Sequence, residues 1–174
     1  MKKNPFMLSL IGIAVVLVCV GLMFIPQFAL LNGGIKTIPQ TYLNGYEVIF
    51  HYVVKSTYFV DNAKGRASAG GIIALVFLAL GLASLGLSKK SSVLSLLGGV
   101  LVALGGIMIL LMPLWFMIIY DNGKVQAGWL AYVIGGVLTV VGGLLVYVGV
   151  MRLKEEKNQL SKPKSQQYSY IKKN

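Results

Sequence analysis

The sequence predicts an all-α membrane protein: a four-transmembrane-helix antiparallel bundle with a small β-sheet or hairpin in its first extracytoplasmic loop. The apolar runs 5–25, 67–87, 93–119 and 129–151 contain no Asp, Glu, Lys, Arg or His. Each approaches or exceeds the roughly 20 residues that a helix needs to cross the hydrocarbon core of a bilayer. The longest segment between them, residues 26–66, contains the β-prone residues and a strong turn signal.

Composition fits one membrane domain over residues 1–152, followed by a basic, disordered cytoplasmic tail over residues 153–174. The 174-residue chain is 56% hydrophobic and 12% charged, about half the charge of a typical soluble domain. Its net charge of +11 does not indicate nucleic acid, because the basic residues lie between and after the apolar runs. Anionic lipid headgroups on the cytoplasmic side are the simpler partner. The residues expected to meet them are Lys89, Lys90, Arg152, Lys154 and Lys157.

The distribution of charge predicts how the chain is oriented in the cell membrane. With four crossings, eleven of the sixteen Lys and Arg residues fall on the side of both termini. Because positive residues are retained in the cytoplasm, we expect a multi-pass protein with both termini cytoplasmic. Trp115, Tyr120, Trp129 and Tyr132 flank the turn at 121–124, as expected for an aromatic belt at the outer interface.

Glycines recur at seven-residue steps in the third and fourth apolar runs. They are Gly98, Gly99, Gly105 and Gly106 in the third, and Gly135, Gly136, Gly142, Gly143 and Gly149 in the fourth. A seven-residue step keeps small residues on one slowly drifting stripe of a helix. In lipid, such stripes let helix backbones approach closely. We therefore predict a left-handed bundle whose tightest contact joins the third and fourth spans, with the glycines serving packing and not a ligand.

The outer loop predicts a β-hairpin. Asn44-Gly45 is the strongest short hairpin signal in the chain, and β-prone residues 37–43 and 46–54 flank it. Alternation along the second strand would place Tyr46, Val48, Phe50 and Tyr52 on one face. This face either packs on the end of the bundle or forms a recognition surface for another membrane protein or an extracellular ligand.

Residues that carry chemistry are scarce, so we expect no enzyme, no metal and no cofactor. The single histidine, His51, lies in the outer loop, whereas the single cysteine, Cys19, lies within the first apolar run. The four runs also lack the ionisable residues that ion-coupled transporters place inside the bilayer.

Two functional classes remain. The first is a non-catalytic multi-pass membrane protein acting as an accessory, scaffold or partner-binding subunit through its outer loop or helix faces. Its partner would be another membrane protein or further copies of itself. The alternative is a small oligomeric channel, permeability factor or transporter with a pore at subunit boundaries. A polar stripe along one span would favour this alternative.

Overall fold

The computed structural model describes residues 5–31, 39–50, 69–89, 91–114 and 125–160. Its helices are α1 (Pro5–Leu22), α2 (Gly45–Phe50), α3 (Ala69–Gly86), α4 (Ser92–Leu110) and α5 (Trp129–Leu160). Its strands are β1 (Pro26–Leu31), β2 (Pro39–Asn44) and β3 (Val125–Ala127). A 3₁₀ turn, Leu87–Lys89, follows α3 and leads towards α4.

Among the described residues, three helices are long and apolar enough to cross a membrane, which supports a membrane protein. They are Ala69–Lys89, Ser92–Leu110 and Trp129–Asn158. Met7–Leu22 is a shorter apolar helix. It ends before the predicted limit at residue 25, because the amides of Met23, Phe24 and Ile25 bond carbonyls three residues back. This tightened last turn leads into Pro26, which has no amide hydrogen to continue the helix.

The most extensive helix contact joins α4 and α5, as the glycine steps predict, and the next joins α3 and α4. In each glycine pair of α4, one glycine packs against α5 and the other packs against α3. A Cβ built on Gly106 would lie 2.5 Å from the backbone nitrogen of Thr139 in α5. A Cβ on the adjacent Gly105 would instead lie 2.9 Å from the Leu78 side chain in α3. Gly99 and Gly98 repeat this division one heptad earlier.

In α5 the paired glycines do not share a role. Gly135, Gly142 and Gly149 lie against the backbone of α4. A Cβ on Gly136 or Gly143, in contrast, would meet nothing within 4 Å among the described residues. Successive residues on a helix point about 100° apart. When the first glycine of a pair faces α4, the second therefore points away from α4. The structure thus does not place Gly136 and Gly143 in a helix contact.

The strands form a three-stranded antiparallel sheet in the order β2-β1-β3. In the central strand, Phe28 pairs with Leu43 on one side and with Ala127 on the other. The sheet therefore joins the segment after α1 to the segment before α5. We call this end of the bundle the sheet end. The opposite end, where Leu87–Lys89 connects α3 towards α4, is the turn end.

The predicted hairpin at Asn44-Gly45 is wrong. The strand before it pairs with β1, and Gly45–Phe50 after it is helical. The reason is a capping box: the Asn44 side chain accepts from the Glu47 amide at 2.9 Å, and the Asn44 amide donates to the Glu47 carboxylate at 2.7 Å. These reciprocal bonds satisfy the amides at a helix start. The rest of the predicted second strand, including Tyr52, lies outside the described residues.

The first residues of the basic tail continue helix α5. Helix α5 continues without interruption from Trp129 to Leu160, past the predicted boundary after residue 152. The residues beyond this boundary include Lys154, Glu155, Glu156 and Lys157, which are good helix formers, and no Gly or Pro occurs before Pro163. The helix therefore has no local reason to stop at the boundary. Residues 161–174 lie outside the described part of the chain.

Candidate functional site

At the sheet end, the short helix α2 is fixed against the ends of α1 and α3. Ile49 is fully buried and packs over Gly71, where a Cβ would lie 2.6 Å from the Ile49 side chain. The Tyr46 hydroxyl donates to the Val20 carbonyl at 2.9 Å, and the Tyr46 ring lies 4.4 Å from the ring of Phe24. Helix α2 is thus a fixed part of the fold.

Three of the four residues predicted to share a strand face, Tyr46, Val48 and Phe50, lie on helix α2, which points them in different directions. Val48 is buried, Tyr46 is half-buried and Phe50 is half-exposed, because side chains on a helix turn by about 100° per residue and not by 180°. Burial raises the pKa of Tyr46, so its phenol stays protonated at neutral pH and remains a hydrogen-bond donor. Of these four residues, Tyr52 lies outside the described part of the chain.

Large apolar side chains are exposed around the sheet end. Tyr42 on β2 is 63% exposed and Phe50 on α2 is 50% exposed. Phe24 and Trp129 are exposed next to helix ends, and Trp129 stands where an interfacial aromatic belt would place it. The sheet end therefore presents aromatic side chains on a backbone that the sheet and the capping box hold in place.

At the turn end, the residues predicted to meet headgroups occupy different environments. Lys89, Lys154 and Lys157 are exposed, whereas Arg152 is half-buried. The Nη1 atom of Arg152 is buried and has no hydrogen-bond partner among the described residues. Lys90 lies outside those residues. Arg152 is thus distinguished from the lysines by a guanidinium that reaches into the protein.

Arg152 belongs to a set of polar residues that the sequence alone did not bring together. Ser9 in α1, Ser88 after α3 and Ser95 in α4 are all 0% exposed. We call Ser9, Ser88, Ser95 and Arg152 the polar layer. Each lies about one turn beyond a small or apolar interior residue of its helix, namely Gly12, Leu85, Gly98 and Gly149 respectively. All four interior stripes of the bundle therefore become polar at the turn end.

A signal for the polar layer does exist in the sequence. Each of its residues lies three positions from a small or apolar residue of its helix seam, which keeps it near the same helix face. The seam alone does not reveal that four such residues come together at one level, because that depends on the register between helices.

Next to the polar layer, a hydrogen bond joins the start of α4 to the C-terminal part of α5. The Ser92 hydroxyl, at the start of α4, donates to the Glu156 carboxylate on α5. Ser92 is fully buried and Glu156 is exposed. This bond lies on the outer side of the polar layer, because both residues are further along their helices towards the turn end than Ser95 and Arg152.

The side-chain chemistry of the described residues and the comparisons with known proteins narrow the functional class of this chain only in part. In the part of the chain that the structure describes, no group of three or more His, Cys, Asp or Glu side chains comes together as a metal site would require. No protein-family model matches the chain, and no curated protein matches it either. Fold and composition define a helical membrane protein with a small sheet at one end.

Proposed function

We propose that this chain is a four-span protein of the cell membrane that acts without catalysis, as an accessory or scaffold subunit binding a membrane-protein partner through its sheet end. Helix α1 would cross the membrane in addition to α3, α4 and α5, since its 18 residues extend about 27 Å at 1.5 Å per residue. Tilting of the other helices or local thinning of the bilayer accommodates a span of this length. The excess of positive charge beside the turn end supports cytoplasmic termini.

The observation that carries the proposal is the pair of exposed aromatic side chains, Tyr42 and Phe50, on an ordered support. Both belong to the continuous segment from β2 into α2, which the capping box of Asn44 and Glu47 holds together. Aromatic side chains that are already fixed lose little entropy on binding, and they are common among residues that dominate interface energetics. This segment is therefore the surface that we assign to the partner.

The interior of the bundle favours this role over conduction by a single subunit. Buried apolar side chains occur along the whole length of the bundle and leave it tightly packed. They include Val16, Ala74, Leu78, Val102, Ile109, Leu138 and Leu145, none more than 3% exposed. The channel alternative would need a pore between copies of the chain.

A photo-cross-linking experiment in native membranes tests the proposal. A photoreactive amino acid is placed at Tyr42, at Phe50 or, as a control, at Val140, which is 62% exposed in the middle of α5. We expect positions 42 and 50 to give an adduct with one discrete protein and position 140 to give adducts with lipid alone. Replacing Tyr42 with Asp should then abolish co-purification of that protein without lowering the yield of folded chain.

Two outcomes would contradict the proposal. If positions 42, 50 and 140 all give only lipid adducts, the sheet end is not a protein-binding surface. If position 140 instead joins the chain to further copies of itself, the channel alternative becomes the better hypothesis, and conductance of the purified oligomer in planar bilayers would decide it.

A further inference from the structure

The antiparallel register of α3 and α4 places Ser88 and Ser95 of the polar layer in the interior of the bundle. A Cβ on Gly98 would lie 2.7 Å from Leu85, and a Cβ on Gly105 would lie 2.9 Å from Leu78. Continuing this pairing by one turn towards the turn end places Ser88 opposite Ser95. Both serines are 0% exposed, and neither hydroxyl has a hydrogen-bond partner among the described residues. Two buried hydroxyls thus occupy matching register positions on neighbouring elements of the bundle.

Arg152 approaches the same level from α5. Leu145, two turns earlier on the same face, lies between Gly12 of α1 and Gly99 of α4. Side chains on a helix lean towards its N-terminus, so the guanidinium of Arg152 leans from the turn end back into the bundle. This agrees with the burial of its Nη1 atom, which has no hydrogen-bond partner in the described ranges. Ser9 lies at this level on the interior face of α1, where it is fully buried.

The chemistry of these groups selects the ligand. A buried hydroxyl or guanidinium N–H without a partner is destabilising, so a group that accepts several hydrogen bonds would stabilise the layer. The positive charge of Arg152 disfavours a cation. A guanidinium matches the paired oxygens of a phosphate geometrically. The N-terminus of the 19-residue helix α4 adds a positive helix dipole end nearby.

The carboxylate of Glu156 carries its negative charge one helical turn beyond Arg152. Its Oε1 atom accepts the hydrogen bond from Ser92, on the outer side of the layer. The lysines at 89, 154 and 157 are exposed around the same end. They raise the local concentration of anions without entering the interior.

We propose that the polar layer is a binding site for a phosphate group, held by the guanidinium of Arg152 and the hydroxyls of Ser88 and Ser95. In a bilayer spanned by α3, α4 and α5, the turn end lies near the depth of the lipid phosphates. Helix α1 contacts α3 and α5 far less extensively than α4 contacts α5, so the side of the bundle next to α1 is the way in for a headgroup. The phosphodiester of an anionic lipid and free inorganic phosphate share the required chemistry.

Thermal unfolding of the full chain in a neutral detergent tests this site. Phosphatidylglycerol is titrated into the micelles in one series and inorganic phosphate is titrated in another, and the midpoint shift gives an apparent affinity for each. We compare the wild type with Arg152→Gln, with Ser88→Ala/Ser95→Ala and with Lys154→Gln. Lys154→Gln removes one positive charge from an exposed position on the same helix and is the matched control.

A phosphate site predicts about tenfold or greater loss of affinity in Arg152→Gln and in the double serine variant, with less than about threefold loss in Lys154→Gln. If Arg152→Gln does not fold, Arg152→Lys keeps the charge but loses the paired donors, and it should still weaken binding. A shift with lipid alone identifies a headgroup as the source, and a shift with inorganic phosphate as well identifies a site open to the free anion. Equal shifts in all variants, or no shift with either probe, would overturn the proposal.

Discussion

At the scale of single residues, adjacent glycines in α5 differ because only one of each pair meets a neighbouring backbone. Gly142 lies against the backbone nitrogen, Cα and Cβ of Ala103, whereas a Cβ on Gly143 would meet nothing within 4 Å among the described residues. A glycine in the middle of a helix costs conformational entropy relative to alanine. Only the glycine in contact offsets this cost, by allowing two backbones to approach.

This contrast predicts opposite outcomes for two neighbouring substitutions. Gly142→Ala forces α4 and α5 apart, and we expect it to lower the free energy of unfolding by about 1–3 kcal/mol. Gly143→Ala should be neutral or stabilise by up to about 1 kcal/mol. Thermal unfolding of both purified variants in the same detergent measures the difference. Equal midpoints for the two would contradict backbone-level contact between α4 and α5.

The capping box makes a second residue-scale prediction. Asn44→Ala removes the side-chain acceptor for the Glu47 amide, and Glu47→Ala removes the acceptor for the Asn44 amide. We expect each to cost about 0.5–2 kcal/mol, with the double variant costing less than the sum because each bond helps to place the other residue. Glu155→Ala, at an exposed position in α5, is the control and should change stability little. Strict additivity would show that the two bonds act independently.

At the scale of elements, the long helices are the part of the fold that the sequence predicts best. The predicted starts at 67, 93 and 129 compare with observed starts at Ala69, Ser92 and Trp129. The ends agree less well for identifiable reasons. Helix α4 is interrupted after Leu110 because Pro113 cannot donate to Ile109, and residues 112–114 are helical again. Helix α5 extends to Leu160 because charged helix formers follow its apolar part.

The sheet was predicted in its location but not in its pairing. The β-prone segment before Asn44 is β2, yet its partner β1 follows directly from an apolar run and shows no clear alternation. Strand β3 spans only Val125–Ala127 and lies nearly a hundred residues from β1. Local patterns do not encode such long-range pairing. The signal of Asn44 and Glu47 at helix-capping spacing was present, and it competed with the Asn-Gly turn signal.

The same limit applies to the candidate sites. The small-residue seams predict which helices pack closely, since a seam lies on one helix face. The polar layer requires three registers at once: α1 with α5, α3 with α4, and α4 with α5. No single helix contains that information, so Ser88 and Arg152 read as parts of a turn and a charged flank.

Docking of α2 on α3 gives a prediction at the scale of elements. Gly71→Ala places a methyl group where the side chain of Ile49 packs, and we expect a loss of about 1–3 kcal/mol. Ile49→Ala empties the same space and should cost about 2–5 kcal/mol. In the double variant the new methyl group occupies part of the cavity, so its loss should be smaller than the sum. Thermal unfolding of the three variants measures this coupling, and a fully additive double variant would argue against direct contact.

At the scale of the whole molecule, the two ends of the bundle differ in chemistry. The sheet end combines exposed aromatic side chains with a backbone that the sheet holds in place. The turn end combines exposed lysines with the buried polar layer. Since the middle of the bundle is filled by apolar side chains, the two proposed sites lie apart from each other. A change at one need not alter binding at the other unless the helices shift relative to each other.

The proposed orientation makes the last prediction, which also decides whether α1 crosses the membrane. In a Cys19→Ser background, single cysteines replace Asn4, Asn62, Ser91, Asn122 or Ser165, and intact cells are treated with a membrane-impermeant maleimide. We expect Asn62→Cys and Asn122→Cys to react from outside. In the four-span topology, Asn62 falls in the outer connection between α1 and α3, and Asn122 falls in the outer connection between α4 and α5. The other three should react only after the membrane is opened.

Each position isolates one part of the topology. Ser91 lies in the lysine-containing turn between α3 and α4, so labelling of Ser91→Cys from outside would reverse the predicted orientation. Asn4 and Asn62 lie on opposite sides of the membrane only if α1 spans it. If Asn4→Cys reacts from outside as readily as Asn62→Cys, while Ser91→Cys and Ser165→Cys stay protected, the chain has three spans and α1 lies along the outer interface. Helix α1 would then no longer cover the turn end, and the polar layer would lose Ser9.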